Sequence, residues 1–329
     1  MEAFLGIDVG SVTTKMVLLD TSGQVLDSLY LRTQGQPTSV LQQGLAKLES
    51  RMDSNTTVAG VGATGSGRYL AAAVTGADIV KNEITAHTVA ASSLVPGVRT
   101  VIEIGGQDSK LIILRDGIAV DFAMNTVCAA GTGSFLDHQA TRLNLPIEDF
   151  GAVAMRSTSP VRIAGRCAVF AESDLIHKQQ IGHSLPDLLA GLCEALVRNY
   201  LNNVGKGKEI LPPVVFQGGV AANQAMRRSF EQALKLDVIV PPRYEIMGAI
   251  GAAMLAAEEK TAYGVTGFRG FGITREPFET RTHQCSGCPN QCEVLTLKMN
   301  HRVIARWGDR CGKWQTGIGQ PAASERAAS

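Results

Sequence analysis

The chain has 329 residues, 45% of them hydrophobic, and its 31 Lys and Arg residues against 30 Asp and Glu residues give a net charge of +1. This length predicts about two domains with sizeable cores, which excludes a disordered chain and a small disulfide scaffold. The balanced charge predicts no general affinity for nucleic acid or an anionic membrane. The N-terminus has no basic region before an apolar stretch, and no run reaches the roughly 18 apolar residues of a membrane span, so we expect a cytoplasmic protein.

Apolar patterning predicts alternating strands and helices as far as about residue 260. Residues 4–20 predict a hairpin of two apolar strands around a turn of small residues, and residues 100–114 predict a second hairpin. The other predicted elements are helices at 39–52, 68–74, 133–143, 185–204, 224–234 and 247–258, and strands at 57–62, 213–216 and 238–240. This alternation is typical of an α/β fold with mostly buried sheets.

The two hairpins have matching sequences. Ile7–Leu19 aligns without gaps on Ile102–Leu114, at a constant offset of 95 residues. Three positions match in kind: Asp8 with Glu103, Gly10 with Gly105, and Lys15 with Lys110. Two such hairpins facing each other across a cleft would cradle phosphates with backbone N–H groups and hold Mg²⁺ through their carboxylates and water. Chance likeness between glycine-turn hairpins is the alternative, and the shared order of acid, turn and lysine disfavours it.

Further glycine motifs point to a nucleotide. Val214–Gln224 is a strand that runs into Gly-Gly at a helix start, which suits close approach of a sugar, base or phosphate. No P-loop pattern is present. A G-x-G-x-x-G pattern between Gly60 and Gly65 leaves dinucleotide binding open, but Asp78 precedes the next apolar pair instead of ending a strand, which disfavours it.

Two cysteines after the second hairpin are candidate metal ligands. Cys128 and Cys167 both have small neighbours and lie near predicted helix starts, where the helix dipole and free N–H groups favour a thiolate. Two thiolates cannot complete the four-thiolate shell of an iron–sulfur cluster, but two copies of the chain can. From spacing alone, two small buried hydrophobic residues are the favoured interpretation.

The combined motifs change that interpretation. The segments GIDVGSVTTK, IEIGGQDSK, NTVCAAGTGSFLD, CAVFAESDLI and GGVAANQ resemble the activator components of 2-hydroxyacyl-CoA dehydratases and the ATPase subunits of benzoyl-CoA reductases. The resemblance covers about Phe4 to Ala257. It implies a duplicated actin-like (ribonuclease H-like) α/β ATPase fold with a short cysteine-rich C-terminal extension. One departure is Glu103, where members of that family often carry Asp.

The resemblance also implies domains and residue roles. The implied domains are two actin-like subdomains at 1–95 and 96–260, a cysteine-rich metal-binding extension at 261–315, and a disordered tail at 316–329. The implied roles are Mg²⁺ and water positioning by Asp8, Glu103 and Asp108, phosphate contacts by Ser11, Thr13, Lys15 and Gln107, and sugar or base contacts by Gly218, Gly219 and Asn223.

By the same resemblance, a homodimer holds one 4Fe–4S cluster through Cys128 and Cys167 of each chain. ATP binding or hydrolysis then drives a low-potential electron into a 2-hydroxyacyl-CoA dehydratase-like iron–sulfur enzyme, with ferredoxin or flavodoxin as the electron donor. The alternative is a small-molecule kinase of the same superfamily, for example one acting on an amino sugar. A redox sensor or scaffold that binds nucleotide without turnover is a third class.

The remaining cysteines divide into two groups. Cys193 falls on an apolar helix face and is expected in the core. Four cysteines near the C-terminus, in a C-x₂-C-x₃-C run followed by a more distant one, predict a metal site that holds either a second 4Fe–4S cluster or Zn²⁺. They are Cys285, Cys288, Cys292 and Cys311.

Overall fold

The computed structural model describes residues 1–125 and 129–317, with the backbone alone for residues 261–263. Cys128 and residues 318–329, which make up most of the expected tail, lie outside the described residues. No helix in the described part of the chain combines the length and the apolar character needed to cross a membrane.

Packing divides the chain into two units. One comprises residues 1–90 with the chain from residue 248 onward, and the other comprises residues 91–247. The last helix therefore groups with the first unit from Gly248, whereas the family resemblance implies a second subdomain that extends to residue 260.

Each unit contains one five-stranded mixed sheet, and the two sheets have the same topology. The strands of the first sheet are β1 (Glu2–Val9), β2 (Thr13–Asp20), β3 (Val25–Arg32), β4 (Thr57–Thr64) and β5 (Ile79–Val80), in the order β3-β2-β1-β4-β5. Those of the second are β6 (Thr100–Ile104), β7 (Ser109–Arg115), β8 (Ile118–Asn125), β9 (Val214–Gln217) and β10 (Val238–Ile239), in the order β8-β7-β6-β9-β10. In each sheet the first three strands are antiparallel and the last two pair in parallel. The predicted α/β fold and both hairpins are confirmed.

Nine α-helices occur among the described residues. They are α1 (Pro37–Arg51), α2 (Arg68–Thr75), α3 (Glu83–Leu94), α4 (Gly133–Arg142), α5 (Ile147–Ala154), α6 (Ala168–Gln180), α7 (Leu185–Asn203), α8 (Gln224–Leu234) and α9 (Met247–Tyr263). The long helix α7 is the centre of the second core, where Leu192 and Leu196 are buried in one cluster with Phe216 and Phe230. Its first turn is capped by Ser184, whose hydroxyl oxygen accepts the Asp187 N–H at 3.3 Å.

Glycines in the first sheet let helix α9 lie directly on the strands. A Cβ atom on Gly6 of β1 would be 1.9 Å from the Ala249 carbonyl oxygen, and one on Gly62 of β4 would be 2.0 Å from that of Ala252. A side chain at either position would collide with helix backbone, so these glycines are required by packing. Asp78 is also structural, because its carboxylate accepts the Val61 N–H at 2.7 Å.

The chain after α9 forms a small third sheet. Its antiparallel strands are β11 (Phe278–Gln284), β12 (Glu293–Met299) and β13 (Arg302–Trp307). Leu297 and Ala305 are buried in the core cluster of the first unit. The preceding segment contacts α1, where the side-chain amide of Gln42 donates to the carbonyls of Ile273 and Glu276. The extension therefore packs on the first unit.

Candidate functional site

The first hairpin buries a carboxylate beside an ammonium group. Asp8, near the end of β1, pairs with Lys15 of β2, and Lys15 Nζ donates to Asp8 Oδ2 at 3.2 Å. The turn between the strands is closed by the Gly10 N–H, which donates to the Thr13 carbonyl at 2.9 Å. Asp8 is only 6% exposed, and a buried carboxylate needs a polar partner, which Lys15 provides.

The second hairpin repeats this arrangement with a second acid. Glu103 pairs with Lys110 in the same register, and Lys110 Nζ donates to Glu103 Oε2 at 2.9 Å and to Asp108 Oδ2 at 2.7 Å. The Gly105 N–H closes the turn by donating to the Asp108 carbonyl at 3.0 Å. Lys110 is 2% exposed, and the Tyr200 hydroxyl donates to its carbonyl at 2.7 Å. Two carboxylates are thus held by one buried ammonium group.

A glycine of positive φ contacts each buried acid. Gly65 follows β4 with φ +92°, and Gly218 follows β9 with φ +88°. A Cβ atom on Gly65 would be 2.6 Å from Asp8 Oδ1, and one on Gly218 would be 2.8 Å from Glu103 Oε1. The two glycines are equivalent in the two sheets. The sequence predicts a nucleotide contact for Gly218, whereas Gly65 belongs to the G-x-G-x-x-G pattern. The signal that marks Gly65 is its position directly after the fourth strand.

Other neighbours of the acids were not identified from the sequence. A Cβ atom on Gly248 of α9 would be 2.8 Å from Asp8 Oδ2. Thr64 lies beside Asp8 in the sheet, and Gln217 lies beside Glu103. Both polar residues are fully buried at the ends of their strands. A polar residue that ends an otherwise apolar strand just before a glycine is the signal that marks them.

The predicted phosphate and sugar residues occupy turns and strand ends. Ser11 and Gln107 are exposed in the two hairpin turns, whereas Thr13 is buried at the start of β2. Gly219 is exposed directly after Gly218. Asn223 caps α8, and its Oδ1 accepts the N–H groups of Ala225 at 3.0 Å and Met226 at 3.2 Å.

The N-terminus of α4 contacts the second hairpin turn. The Gly133 N–H donates to the Gly105 carbonyl at 2.9 Å, and the Ser134 N–H donates to the Gly106 carbonyl at 2.8 Å. These bonds satisfy two of the amide groups that a helix start leaves unpaired. The turn that follows Glu103 is therefore attached to the helix that begins shortly after residue 128.

The cysteines of the second unit have different environments. Cys167 is the N-cap residue of α6, which agrees with its predicted position near a helix start, and it is half-buried. Cys193 is fully buried in α7, and burial raises the pKa of its thiol to about 12. The expectation that Cys193 belongs to the core is confirmed.

The C-terminal cysteines lie at one end of the third sheet. Cys285, Cys288 and Cys292 occur in the β11–β12 connection, and Cys311 follows β13. Cys285 and Cys292 are half-buried, and the other two are exposed. Two hydrogen bonds to its sulfur lower the pKa of the Cys285 thiol. The larger effect comes from the Gly287 N–H and the smaller from the Trp314 indole N–H. Within the described residues, no three His, Cys, Asp or Glu side chains are already gathered as a metal site.

Comparisons with known proteins cover the two five-stranded units. The model of the BadF/BadG/BcrA/BcrD ATPase family matches residues 5–256, which is more than half of the chain. The (R)-2-hydroxyglutaryl-CoA dehydratase activating ATPase of Acidaminococcus fermentans is 36% identical over 256 residues, which are 77% of this chain and 96% of that relative.

Two solved structures are similar over about four fifths of the chain. The component A structure of (R)-2-hydroxyglutaryl-CoA dehydratase from Acidaminococcus fermentans has a TM-score of 0.74 at 33% identity, covering 79% of this chain and all of that one (100%). The activator of 2-hydroxyisocaproyl-CoA dehydratase from Clostridium difficile, solved with bound ADPNP, has a TM-score of 0.73 at 30% identity, covering 80% and 97%.

Proposed function

Because the chain belongs to the BadF/BadG/BcrA/BcrD ATPase family, we propose that it is an ATP-dependent activator of a 2-hydroxyacyl-CoA dehydratase-type enzyme. The observation that carries the proposal is the repeated hairpin, in which Asp8 pairs with Lys15 and Glu103 with Lys110. The activator role is supported by the relative that activates (R)-2-hydroxyglutaryl-CoA dehydratase, and nucleotide binding by the relative solved with ADPNP.

The acids of the two hairpins are assigned to Mg²⁺ and water. Asp8, Glu103 and Asp108 position Mg²⁺ and the water that attacks the terminal phosphate. Carboxylates and water are the ligands that Mg²⁺ prefers, and the adjacent ammonium groups of Lys15 and Lys110 support charged carboxylates in buried positions. The hydrogen bonds from these lysines hold the carboxylates in fixed orientations.

The turns and the Gly-Gly element are assigned to the nucleotide. Ser11, Thr13, Lys15 and Gln107 contact the phosphates, and Gly218, Gly219 and Asn223 contact the sugar or base. Support comes from exposed polar groups at the turns and from a backbone without side chains at the Gly-Gly step. The side-chain oxygen of Asn223 also caps α8, so this residue holds the helix start in place beside the proposed nucleotide contact.

Cys167 supports the second half of the proposal, a homodimer with a bridging 4Fe–4S cluster. Each chain contributes Cys167 and Cys128, the latter outside the described residues. Cys167 begins α6, whose unpaired N–H groups favour thiolates and bound sulfide. Val169 and Phe170, two and three residues after Cys167, are 68% and 64% exposed, as expected of apolar side chains that a second copy covers.

When bound, the cluster supplies a low-potential electron, which passes to the partner enzyme. Ferredoxin or flavodoxin is the proposed electron donor. The C-terminal cysteines are proposed as a second metal site, for a 4Fe–4S cluster or Zn²⁺. The alternative function, a small-molecule kinase acting on an amino sugar, gains no support from the comparisons and needs no cysteine at a subunit contact.

Anaerobic purification of Cys167→Ala tests the proposal, with Cys193→Ala as the matched control. Cys167→Ala should lose the bridging cluster, which is about two irons per chain, and should no longer activate a dehydratase-type partner with ATP and reduced ferredoxin. Cys193→Ala removes a core thiol and should retain both the bridging cluster and dehydratase activation. A Cys167→Ala protein that activates normally, or ATP-dependent phosphorylation of an amino sugar without iron, would contradict the activator assignment.

A further inference from the structure

The β11–β12 connection holds three of the C-terminal cysteines in one closed loop. The Cys285 N–H donates to the Cys292 carbonyl at 2.8 Å, so the two ends of the loop are paired. Within the loop, the Gln291 N–H donates to the Cys288 carbonyl at 3.2 Å. The three thiols therefore belong to one short segment whose backbone is already folded back on itself.

Trp314 attaches the Cys311 segment to this loop. Its indole N–H donates to Cys285 Sγ at 3.3 Å, and its backbone N–H donates to Asp309 Oδ2 at 3.1 Å. The Cys311 thiol donates to the same carboxylate oxygen at 3.4 Å. The Trp314 ring packs edge-to-face on His283 with a centroid distance of 4.9 Å. The more distant cysteine thus lies in a segment held against the first.

This end of the sheet has little apolar cover. Residues 286–291 are exposed throughout, and Cys288 and Cys311 are exposed as well. The buried side chains of the sheet, Val294, Leu297 and Ala305, lie within β12 and β13 instead. Small segments without a core of their own are usually stabilised by a disulfide or a metal. The described cysteines of the chain form no disulfide.

We propose that Cys285, Cys288, Cys292 and Cys311 are the four ligands of a 4Fe–4S cluster held by each chain. The ligands divide into three from one loop and one from a distant segment, as in clusters built on a C-x₂-C-x₂-C run, whereas Cys₄ zinc sites combine two C-x₂-C halves. The Gly287 and Trp314 N–H groups on Cys285 Sγ are donors of the kind that tune cluster potentials.

To hold the cluster, the exposed Cys288 and Cys311 side chains would have to turn towards Cys285, because no three such side chains are gathered among the described residues. The assignment rests on the proposed second metal site, but it does not depend on the nucleotide site or on the bridging cluster. The family model matches residues 5–256, so the site lies outside the matched residues.

The test uses the full chain with Cys167→Ala, which removes the bridging cluster and leaves only the C-terminal site. After anaerobic reconstitution with iron and sulfide, this protein should hold about four irons and four sulfides per chain. Adding Cys288→Ser or Cys311→Ser to this protein should lower its iron content per chain at least fourfold. Adding Cys193→Ala should leave the iron content unchanged. Circular dichroism and nucleotide binding show whether each variant is folded, and two separate ligand variants guard against one that is not.

Trp314→Phe keeps the ring and removes only the indole N–H. It should retain the iron and shift the reduction potential of the cluster downward, because one hydrogen bond to a ligand sulfur is lost. One zinc without iron in the Cys167→Ala protein, or neither metal, would overturn the cluster assignment. Normal dehydratase activation by the Cys167→Ala protein, whatever its C-terminal iron content, would instead count against the proposed function alone.

Discussion

Asp8→Asn should separate the charge of Asp8 from its shape. The amide has nearly the same size as the carboxylate, and the site has little room for a larger group. A Cβ atom on Gly65 would be only 2.6 Å from Asp8 Oδ1, and one on Gly248 only 2.8 Å from Asp8 Oδ2. The substitution removes the negative charge that accepts the bond from Lys15 Nζ at 3.2 Å. Loss of one hydrogen bond to a charged group lowers the free energy of unfolding by about 1.5–3 kcal/mol.

The effect on catalysis should be larger than a structural defect would produce. If Asp8 faces a hydrated Mg²⁺, loss of its charge removes stabilisation of the transition state and lowers ATP turnover by about 10²-fold, as with other preorganised electrostatic groups. That factor corresponds to about 2.7 kcal/mol of activation free energy. Steady-state ATP hydrolysis, measured with saturating Mg²⁺ well below the melting temperature of the variant, gives the turnover number.

Asp20→Asn is the matched control, because it makes the same substitution at the opposite end of the same hairpin. Asp20 Oδ1 accepts N–H groups of the β2–β3 turn from Ser22 at 2.8 Å and from Gln24 at 2.9 Å. Asp20→Asn should weaken that turn and leave ATP turnover within about twofold of the wild type. A folded Asp8→Asn protein with the turnover of Asp20→Asn would refute the role of Asp8.

Three further predictions concern the framework. Lys110→Met should lower the free energy of unfolding, measured in urea, by about 3–5 kcal/mol, because buried Glu103 loses its cation. Lys15 is more exposed, so Lys15→Met should lower the free energy of unfolding by less. Equal losses in the two variants would contradict this prediction. Gly62→Ala should cost about 2–3 kcal/mol by displacing α9, whereas the control Gly272→Ala, with no atom within 4 Å, should be neutral in thermal unfolding. Hydrogen bonds from the Ser157 hydroxyl, the larger cause, and from the Ser184 hydroxyl lower the pKa of Asp187 to about 2. The Asp187 carboxylate therefore stabilises the folded state fully above pH 3.8, and progressively less as the pH falls towards 2. Asp187→Asn should therefore be less stable than the wild type at pH 7, and the difference should shrink below pH 4; a constant difference would rule this out.

The local part of the site could be predicted from the sequence. A tight turn sets the register of its hairpin, so the spacing from Asp8 to Lys15 and from Glu103 to Lys110 already determined which residues face each other. The start of α6 after Cys167 also follows from neighbouring residues. The family resemblance drawn from these segments is confirmed by the match over residues 5–256.

Only the tertiary structure decided which distant segments meet. Gly65 and Gly248 both contact Asp8, yet they follow it by many residues in different elements, and no local pattern states that their backbones converge there. Edge strands β3 and β8 were missed because only one residue of β3 and none of β8 is fully buried, so neither strand has a continuous apolar run. Helix α9 groups with the first unit because its small residues fit the glycines of β1 and β4, and that complementarity exists only once sheet and helix are packed together.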